Sequence, residues 1–173
     1  MKVWKDVFSG DEMVSDSYRN NLVFNDACLE VQCKYTTAGG AEDIDIGAGN
    51  AFGGGEEDAG GGDDGGVTVI DVVHGMRLQE ATLSKKDTMA LLKAYLKKVV
   101  EYLKENGKEE RVPEFKKGAT EMIKLIMEKF DEMQIFSGEN FDTEAGLGFS
   151  YTKDGEENPV IMFFNDGMVE EKF

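Results

Sequence analysis

The chain has 173 residues, of which 40% are hydrophobic, and its formal net charge is -16 at pH 7. This length suits one domain with a sizeable core, so we expect residues 1–173 to form a single domain. The acidic excess disfavours nucleic acids and anionic membrane surfaces and favours basic proteins and cations, although plain solubility also explains it. No segment approaches 18 consecutive apolar residues and no signal peptide is recognisable, so we expect a cytosolic protein without a membrane span.

The N-terminal region predicts two strands separated by a turn-rich stretch. Apolar residues within 3–8 fit a short strand, and residues 11–21 are polar and rich in turn-forming types. Residues 29–35 alternate between apolar and polar side chains, which is the pattern of a half-buried strand. If residues 29–35 are a strand, the odd separation of five positions puts Cys28 and Cys33 on opposite faces, which argues against a disulfide between them.

Residues 37–66 differ sharply in composition from the rest of the chain. They contain 12 glycines and 8 acidic residues, with no lysine or arginine. Their few large apolar side chains cannot offset the entropy lost by ordering so much glycine, so we predict a long mobile acidic loop. A strand is predicted immediately afterwards, over 67–73, so the loop is expected to join two strands rather than two domains.

A helical hairpin is predicted over residues 84–132. Ser84 is a suitable N-cap, with Asp87 in the capping-box position, and apolar residues keep a helical period from there to Gly107. Pro113 fits the first turn of a second helix. The short connection between the two helices favours an antiparallel pair.

Strands are predicted again after the hairpin, over residues 134–136, 147–152 and 159–164. Turn-forming sequences occur at 153–155 and 165–167. Strands therefore lie towards both ends of the chain, with the acidic loop and the hairpin inserted between them. We predict an α+β fold of mixed short strands.

The predicted hairpin concentrates the basic residues. Residues 84–132 hold 12 of the 19 lysines and arginines and 10 of the 35 acids, a net charge of +2, whereas the remainder carries -18. A solvated helix face explains this pattern without any function. The functional alternative is a docking surface for an acidic partner, to which attraction would weaken with salt. The candidate docking residues lie on the first helix: Lys85, Lys86, Lys93, Lys97, Lys98 and Lys104.

The sequence contains no residue pattern typical of an enzyme. The single histidine, His74, lies at the end of a predicted strand without a nucleophile or carboxylate pattern beside it, and two cysteines with one histidine are too few for a zinc site. Residues 60–65 match a dinucleotide-binding glycine pattern only formally, because acidic residues there would repel phosphate. We predict no catalytic residues; calcium is expected to bind weakly, if at all, through unassigned carboxylates of the acidic loop.

Four segments carry a resemblance to a known family: residues 1–6 (MKVWKD), 11–18 (DEMVSDSY), 134–140 (QIFSGEN) and 160–172 (VIMFFNDGMVEEK). In order and spacing they resemble the translationally controlled tumour protein family, also called fortilin or histamine-releasing factor, over nearly the whole chain. The resemblance implies a β-tent fold with a protruding helical hairpin, similar to a Rab-binding exchange factor and chaperone.

The resemblance also implies a non-enzymatic, mostly monomeric protein with several partners, linked to growth and survival. Implied partners are a Rheb-like small GTPase, tubulin and microtubules, subunits of translation elongation factor 1, anti-apoptotic proteins of the Bcl-2 family, and calcium; no cofactor is required. In the family the glutamate of the Asp-Glu-Met segment is implicated in contact with the GTPase, which here points to Asp11 and Glu12. The implied location is cytoplasmic, with nuclear and non-classically secreted pools.

The alternative function is that of a chaperone-like holdase for unfolded or nucleotide-free clients. The nine methionines of the chain would supply adaptable apolar surface for such clients. We expect Met89, Met122 and Met127 to fill the core of the hairpin instead.

Other positions bear on this resemblance. Phe52 stands in the acidic loop where the family has serine, which counts against regulatory phosphorylation there, and the last residue is Phe173 rather than cysteine, which disfavours oxidative dimers. Within the third segment we expect structural roles, with Gly138 making a turn and Glu139 holding a loop amide.

Overall fold

The computed structural model describes residues 1–38 and 67–172, so 39–66 and Phe173 lie outside the described residues. The acidic loop predicted over 37–66 falls outside them too, except that its first two residues belong to a strand.

Eleven strands and three α-helices are found in the described part of the chain. The strands are β1 (Lys2–Asp6), β2 (Glu12–Ser15), β3 (Asn20–Val23), β4 (Cys28–Gln32), β5 (Tyr35–Ala38), β6 (Val67–Ile70), β7 (Gln79–Ala81), β8 (Gln134–Ser137), β9 (Gly148–Tyr151), β10 (Val160–Phe164) and β11 (Met168–Lys172). The helices are α1 (Asp71–Met76), α2 (Lys85–Glu105) and α3 (Val112–Glu128). The predicted α+β class is confirmed.

The strands pair antiparallel in three sheets. One has six strands in the order β3-β4-β10-β9-β8-β7, one has three in the order β11-β1-β2, and β5 pairs with β6 as a two-stranded ribbon. All five residues of β10 are buried. A continuous apolar strand of this kind forms where both faces of the sheet are covered.

The six-stranded sheet is the middle layer between two hydrophobic cores. Along β10, Val160, Met162 and Phe164 belong to one core, and Ile161 and Phe163 belong to the other. This follows the alternation of side chains along a strand. The first core is completed by α2 and α3, and the second by β1, β2 and α1.

The two cysteines lie in different cores, Cys28 in the first and Cys33 in the second. The prediction that they face opposite sides of the sheet is confirmed. Burial raises the pKa of the Cys33 thiol to about 12 and also raises the pKa of the Cys28 thiol. Both thiols therefore stay protonated at neutral pH and act as small apolar residues.

The helical hairpin begins and turns as predicted. The Asp87 backbone N–H donates a hydrogen bond to the Ser84 hydroxyl at 3.0 Å, which caps α2, and Pro113 lies in the first turn of α3. Between the helices, the Arg111 guanidinium donates to both carboxylate oxygens of Asp166 at 2.8 and 3.0 Å. This bidentate pair ties the connection of the hairpin to the turn that follows β10. None of the helices in the described residues is long and apolar enough to cross a bilayer.

The strand predicted over 67–73 is too long, because α1 begins at Asp71. The Asp71 carboxylate accepts hydrogen bonds from the backbone N–H groups of Val72 and Lys34, at 2.8 and 3.0 Å, and so ends the strand in a turn. His74 consequently lies in α1 rather than at the end of a strand.

The N-terminal region contains more strands than predicted. The stretch 11–21 holds β2 and the start of β3, because β1 and β4 provide pairing partners that a local pattern does not reveal. The strand predicted over 29–35 is divided into β4 and β5, which belong to different sheets. The edge strands β7 and β11 were not predicted, since few of their residues are buried and their patterns are weak.

Candidate partner-binding cleft at Glu12

The candidate site is built on the tight turn between β1 and β2. The Asp6 N–H donates to the Asp11 carbonyl and the Gly10 N–H to the Asp6 carbonyl, both at 2.9 Å, and Gly10 has a φ of +80° that suits glycine. The buried Asp6 carboxylate accepts hydrogen bonds from the N–H and hydroxyl of Ser9 at 2.8 Å and from the Gly146 N–H at 3.1 Å. Burial raises the pKa of Asp6, although the bonds from Ser9 act in the opposite direction. The turn before β2 is thus fixed from inside the protein.

A second set of contacts joins this turn to the segment after β8. Asp11 is only 7% exposed, and its carboxylate accepts hydrogen bonds from the side-chain amide of Asn140 and, at 3.3 Å, from the Asn140 backbone N–H. A Cβ at Gly138 would overlap the Asp11 side chain. The Asp11 carboxylate thus helps to hold the site together, and its predicted contact with the partner stays a prediction.

Glu12 is exposed at the first position of β2. It lies opposite Lys5 in the strand pair, and the Lys5 ammonium pairs with Glu171 on the neighbouring strand. The hydrogen bond to Glu171 is the main reason that the pKa of Lys5 is raised, and the charge of Glu12 adds to it. Glu12 therefore carries its charge on a fixed strand beside a cation.

An open cleft of about 670 Å³ lies beside Glu12, lined by residues from β1, β2 and the end of α1. Arg77, the residue after α1, pairs with Glu139 at 3.4 Å, and both side chains line the cleft. Two exposed carboxylates and two cations, Lys5 and Arg77, consequently surround one opening. Glu139 was expected to hold a loop amide, but its carboxylate pairs with Arg77. The amide held in this loop is that of the neighbouring Asn140, which donates to Asp11.

The arrangement at this cleft is suited to recognition of another charged surface. It presents fixed charges of both signs and an open shape. Within the described residues, no three histidine, cysteine, aspartate or glutamate side chains are grouped to hold a metal ion. His74 is exposed on α1. The carboxylates of the acidic loop, to which weak calcium binding was assigned, lie outside the described residues.

The predicted basic docking residues lie on α2, and none of them lines the cleft. Lys98 is only partly exposed: its ammonium donates to the Glu144 carbonyl at 2.9 Å and lies 5.7 Å from the centre of the Phe8 ring. Lys98 therefore fastens α2 to neighbouring loops. The remaining five are exposed: Lys85, Lys86, Lys93, Lys97 and Lys104.

Sequence reasoning missed three residues that shape the cleft: Lys5, Arg77 and Asn140. Each cation meets its carboxylate partner only through the fold, and Arg77 belongs to no recognisable pattern. Lys5 and Asn140 offered a signal, since they lie within the first and third segments of the resemblance.

Comparison with known proteins identifies the family of the chain. A family model described as translationally controlled tumour protein matches residues 1–169. The chain belongs to this family. A homologue from Dictyostelium discoideum is 37% identical over 175 residues, and one from Branchiostoma belcheri is 38% identical over 174 residues, each with 100% coverage of both chains.

Solved structures of the family agree. The translationally controlled tumor-associated protein p23fyp from Schizosaccharomyces pombe superimposes with a TM-score of 0.79 at 34% identity and covers 100% of both chains. The protein from Caenorhabditis elegans superimposes with a TM-score of 0.62 at 25% identity, covering 100% of this chain and 99% of its own. The expected β-tent fold with an inserted helical hairpin is confirmed.

Proposed function

We propose that this protein is a non-enzymatic binding protein that docks a Rheb-like small GTPase at the cleft around Glu12. The observation that carries the proposal is an exposed carboxylate on a strand whose preceding turn is fixed by the contacts of Asp6 and Asp11. A charge held in this way loses little freedom on binding, so more of its attraction to a basic partner group is retained. Membership of the family supports this assignment.

In the proposed complex Glu12 pairs with a lysine or arginine of the GTPase. Lys5 and Arg77, on the other walls of the cleft, face acidic groups of the same partner. Mixed charges of this kind fix the orientation of a partner and reject surfaces with the wrong pattern. Glu12 could instead act on the magnesium and phosphate region that holds the nucleotide, but the proposal concerns binding alone.

Calorimetry with the Rheb-like GTPase of the same organism tests the proposal. Glu12→Lys reverses one exposed charge, and we expect about tenfold weaker binding with a smaller effect at high salt. The matched control is Glu157→Lys, which makes the same charge change at an exposed position outside the cleft. If the wild type and Glu12→Lys bind the GTPase with equal affinity, the GTPase binds a surface other than the Glu12 cleft. Absence of binding by the wild type at micromolar concentration would reject the GTPase as a partner.

We propose the exposed basic face of α2 as a second surface, for acidic partners. Its lysines suit the acidic tails of tubulin, and the family adds subunits of elongation factor 1 and anti-apoptotic proteins of the Bcl-2 family as candidates. We also propose weak calcium binding, no required cofactor, and a cytoplasmic location with nuclear and non-classically secreted pools. The support for these is the family together with the uneven charge of the chain.

The chaperone-like alternative gains less support from the described residues. Met122 is fully buried, and Met127 packs against the first core. Met89 is half-buried on α2. These methionines are therefore largely taken up within the fold, as expected for hairpin residues, and offer little adaptable surface to a client.

A further inference from the structure

The two long helices leave an apolar groove on the surface of the hairpin. It has a volume of about 420 Å³, and its apolar lining comes from Leu96 and Val100 of α2 and Phe115 of α3. Phe115 is fully buried, whereas Leu96 and Val100 are half-buried and pack against the edge of the first core. The groove therefore exposes apolar surface that is continuous with the core beneath it.

Positive charges border this groove on both sides. Lys97 on α2 and Lys116 on α3 are exposed and line it, together with one acid, Glu101. Lys93 and Lys104 lie four residues before and seven residues after Lys97, so they extend the same face of α2. This basic border lies on a chain whose remaining residues are strongly acidic.

We propose that the groove binds an amphipathic acidic segment of a partner protein, whose apolar side chains enter between the helices while flanking carboxylates pair with Lys97 and Lys116. A helix with apolar residues at spacings of three and four fits a groove between two helices. An uncharged apolar segment would leave the lysines unmatched, and a purely acidic segment would leave the groove unfilled. A second copy of this chain is disfavoured, because its net charge of -16 opposes self-association.

This inference rests on the proposed function in one respect: it defines the chemistry of the acidic partner of α2. It is independent of the GTPase, because the groove and the Glu12 cleft share no lining residue. Each surface can therefore be mutated without changing a residue that lines the other.

The test is fluorescence anisotropy with the full chain and a labelled helical peptide of about 16 residues. The peptide carries leucines at spacings of three and four with glutamates beside them. Three comparison peptides have a scrambled order, only glutamate at the same net charge, or glutamine in place of each glutamate. We expect the amphipathic acidic peptide to bind at least about tenfold more tightly than each of the three.

Variants of the chain locate the binding. Leu96→Ala should weaken it about fivefold, because less apolar surface is buried. Thr120→Trp, at an exposed position that lines the groove, should fill the groove and abolish binding. Circular dichroism checks that these variants remain folded.

Charge reversal separates the groove from the rest of the basic face. Lys97→Glu with Lys116→Glu should weaken binding about tenfold at low salt. Lys85→Glu with Lys86→Glu makes the same change in charge on the same basic face, about 17 Å away along α2 at 1.5 Å per residue, and should weaken binding clearly less than the groove pair does.

Each contrary result is distinct. If the glutamate-only peptide binds as tightly and depends equally on both lysine pairs, the basic face binds acids but the groove proposal is overturned. If the glutamine peptide binds as tightly, the partner is not acidic and the groove acts as a surface for unfolded clients. No binding of any peptide, or no effect of Leu96→Ala and Thr120→Trp, also overturns the proposal. None of these results bears on GTPase binding at Glu12.

Discussion

The Glu12 cleft and the helical hairpin acquire their shapes in different ways. The cleft depends on a few polar contacts between distant parts of the chain, such as Asp11 with Asn140 and Asp6 with Gly146. The hairpin depends on apolar side chains that repeat along one continuous stretch and are buried against the sheet. Loss of one partner in a polar contact leaves the other unsatisfied, whereas apolar packing is spread over many small contacts. The two regions should therefore respond differently to mutation.

The largest effect is expected in the hairpin, at a point where packing leaves no space. A Cβ at Gly118 in α3 would overlap the Phe24 carbonyl and lie 2.8 Å from the Cβ of Ala27. Alanine favours helices, but here overpacking should dominate, and Gly118→Ala should lower the free energy of unfolding by about 3 kcal/mol in chemical denaturation.

Thr120→Ala is the control, because it lies on the exposed side of the same helix and should change stability by about 0.5 kcal/mol or less. Affinity for the GTPase, measured where Gly118→Ala remains folded, should stay unchanged. An unaltered or increased stability would mean that α3 moves away from the sheet at little cost.

In the cleft, the second largest effect is expected from removing a single acceptor. Asp11→Ala leaves two donors of Asn140 without a partner and should cost about 2 kcal/mol of stability in chemical denaturation. It should also weaken binding of the GTPase, because the turn before Glu12 loses its attachment.

A double-mutant cycle distinguishes this contact from general disruption of the turn. Asp11→Ala combined with Asn140→Ala should cost less than the sum of the single variants, since the side-chain amide that donates to Asp11 is then absent as well and only the backbone N–H of residue 140 loses its acceptor. Additive costs would show that the contact contributes little. Unchanged GTPase affinity in Asp11→Ala would show that Glu12 does not need this support.

The same contrast explains how much the sequence could predict. Ser84 and Pro113 mark the hairpin through local chemistry, so its start and its turn were predicted from the residues alone. The strand over 67–73 was predicted too long because the turn at Asp71 is held by a hydrogen bond from the backbone N–H of Lys34, far away in sequence. Asp11 was assigned to the partner through the family resemblance of its segment, and its contact with Asn140 could not be predicted because no local pattern links the two residues. Strand order was beyond local patterns altogether, and the β-tent was predicted only through the family resemblance.

A third prediction compares the two cores through their thiols. Burial raises the pKa of Cys33, in the core beneath the cleft, from an ordinary value of 9.0 to about 12, and it also raises that of Cys28, in the core beneath the hairpin. The unfolded chain ionises its thiols above about pH 9 while the folded chain keeps its protons. The stabilising effect is therefore complete below pH 9 and is lost as the pH rises towards the folded pKa.

We expect each thiol to account for about 1 kcal/mol of the stability lost between pH 8 and pH 10. The measurement is the pH dependence of chemical denaturation for Cys28→Ala and for Cys33→Ala against the wild type, because tyrosine ionisation is common to all three. Each variant should lose less stability over this interval. If the pH dependence of the free energy of unfolding changes in only one of the two variants, the cysteine whose removal has no effect lies in a core that admits water to its thiol.

The smallest effect is expected at a polar group inside the hairpin core. Thr88, near the start of α2, is fully buried, and its hydroxyl has no hydrogen-bond partner within the described residues. Thr88→Val replaces that hydroxyl with a methyl group, keeps the branched side chain, and should raise the free energy of unfolding by about 0.5–1 kcal/mol. Thr88→Ser, which keeps the hydroxyl and loses the methyl, should lower it by about 1 kcal/mol. Chemical denaturation measures the free energy of unfolding of both variants, and the slope of that free energy against denaturant concentration should stay unchanged. A destabilising valine with a neutral serine would mean that the hydroxyl is bonded, and that the hairpin, like the cleft, relies on a specific polar contact.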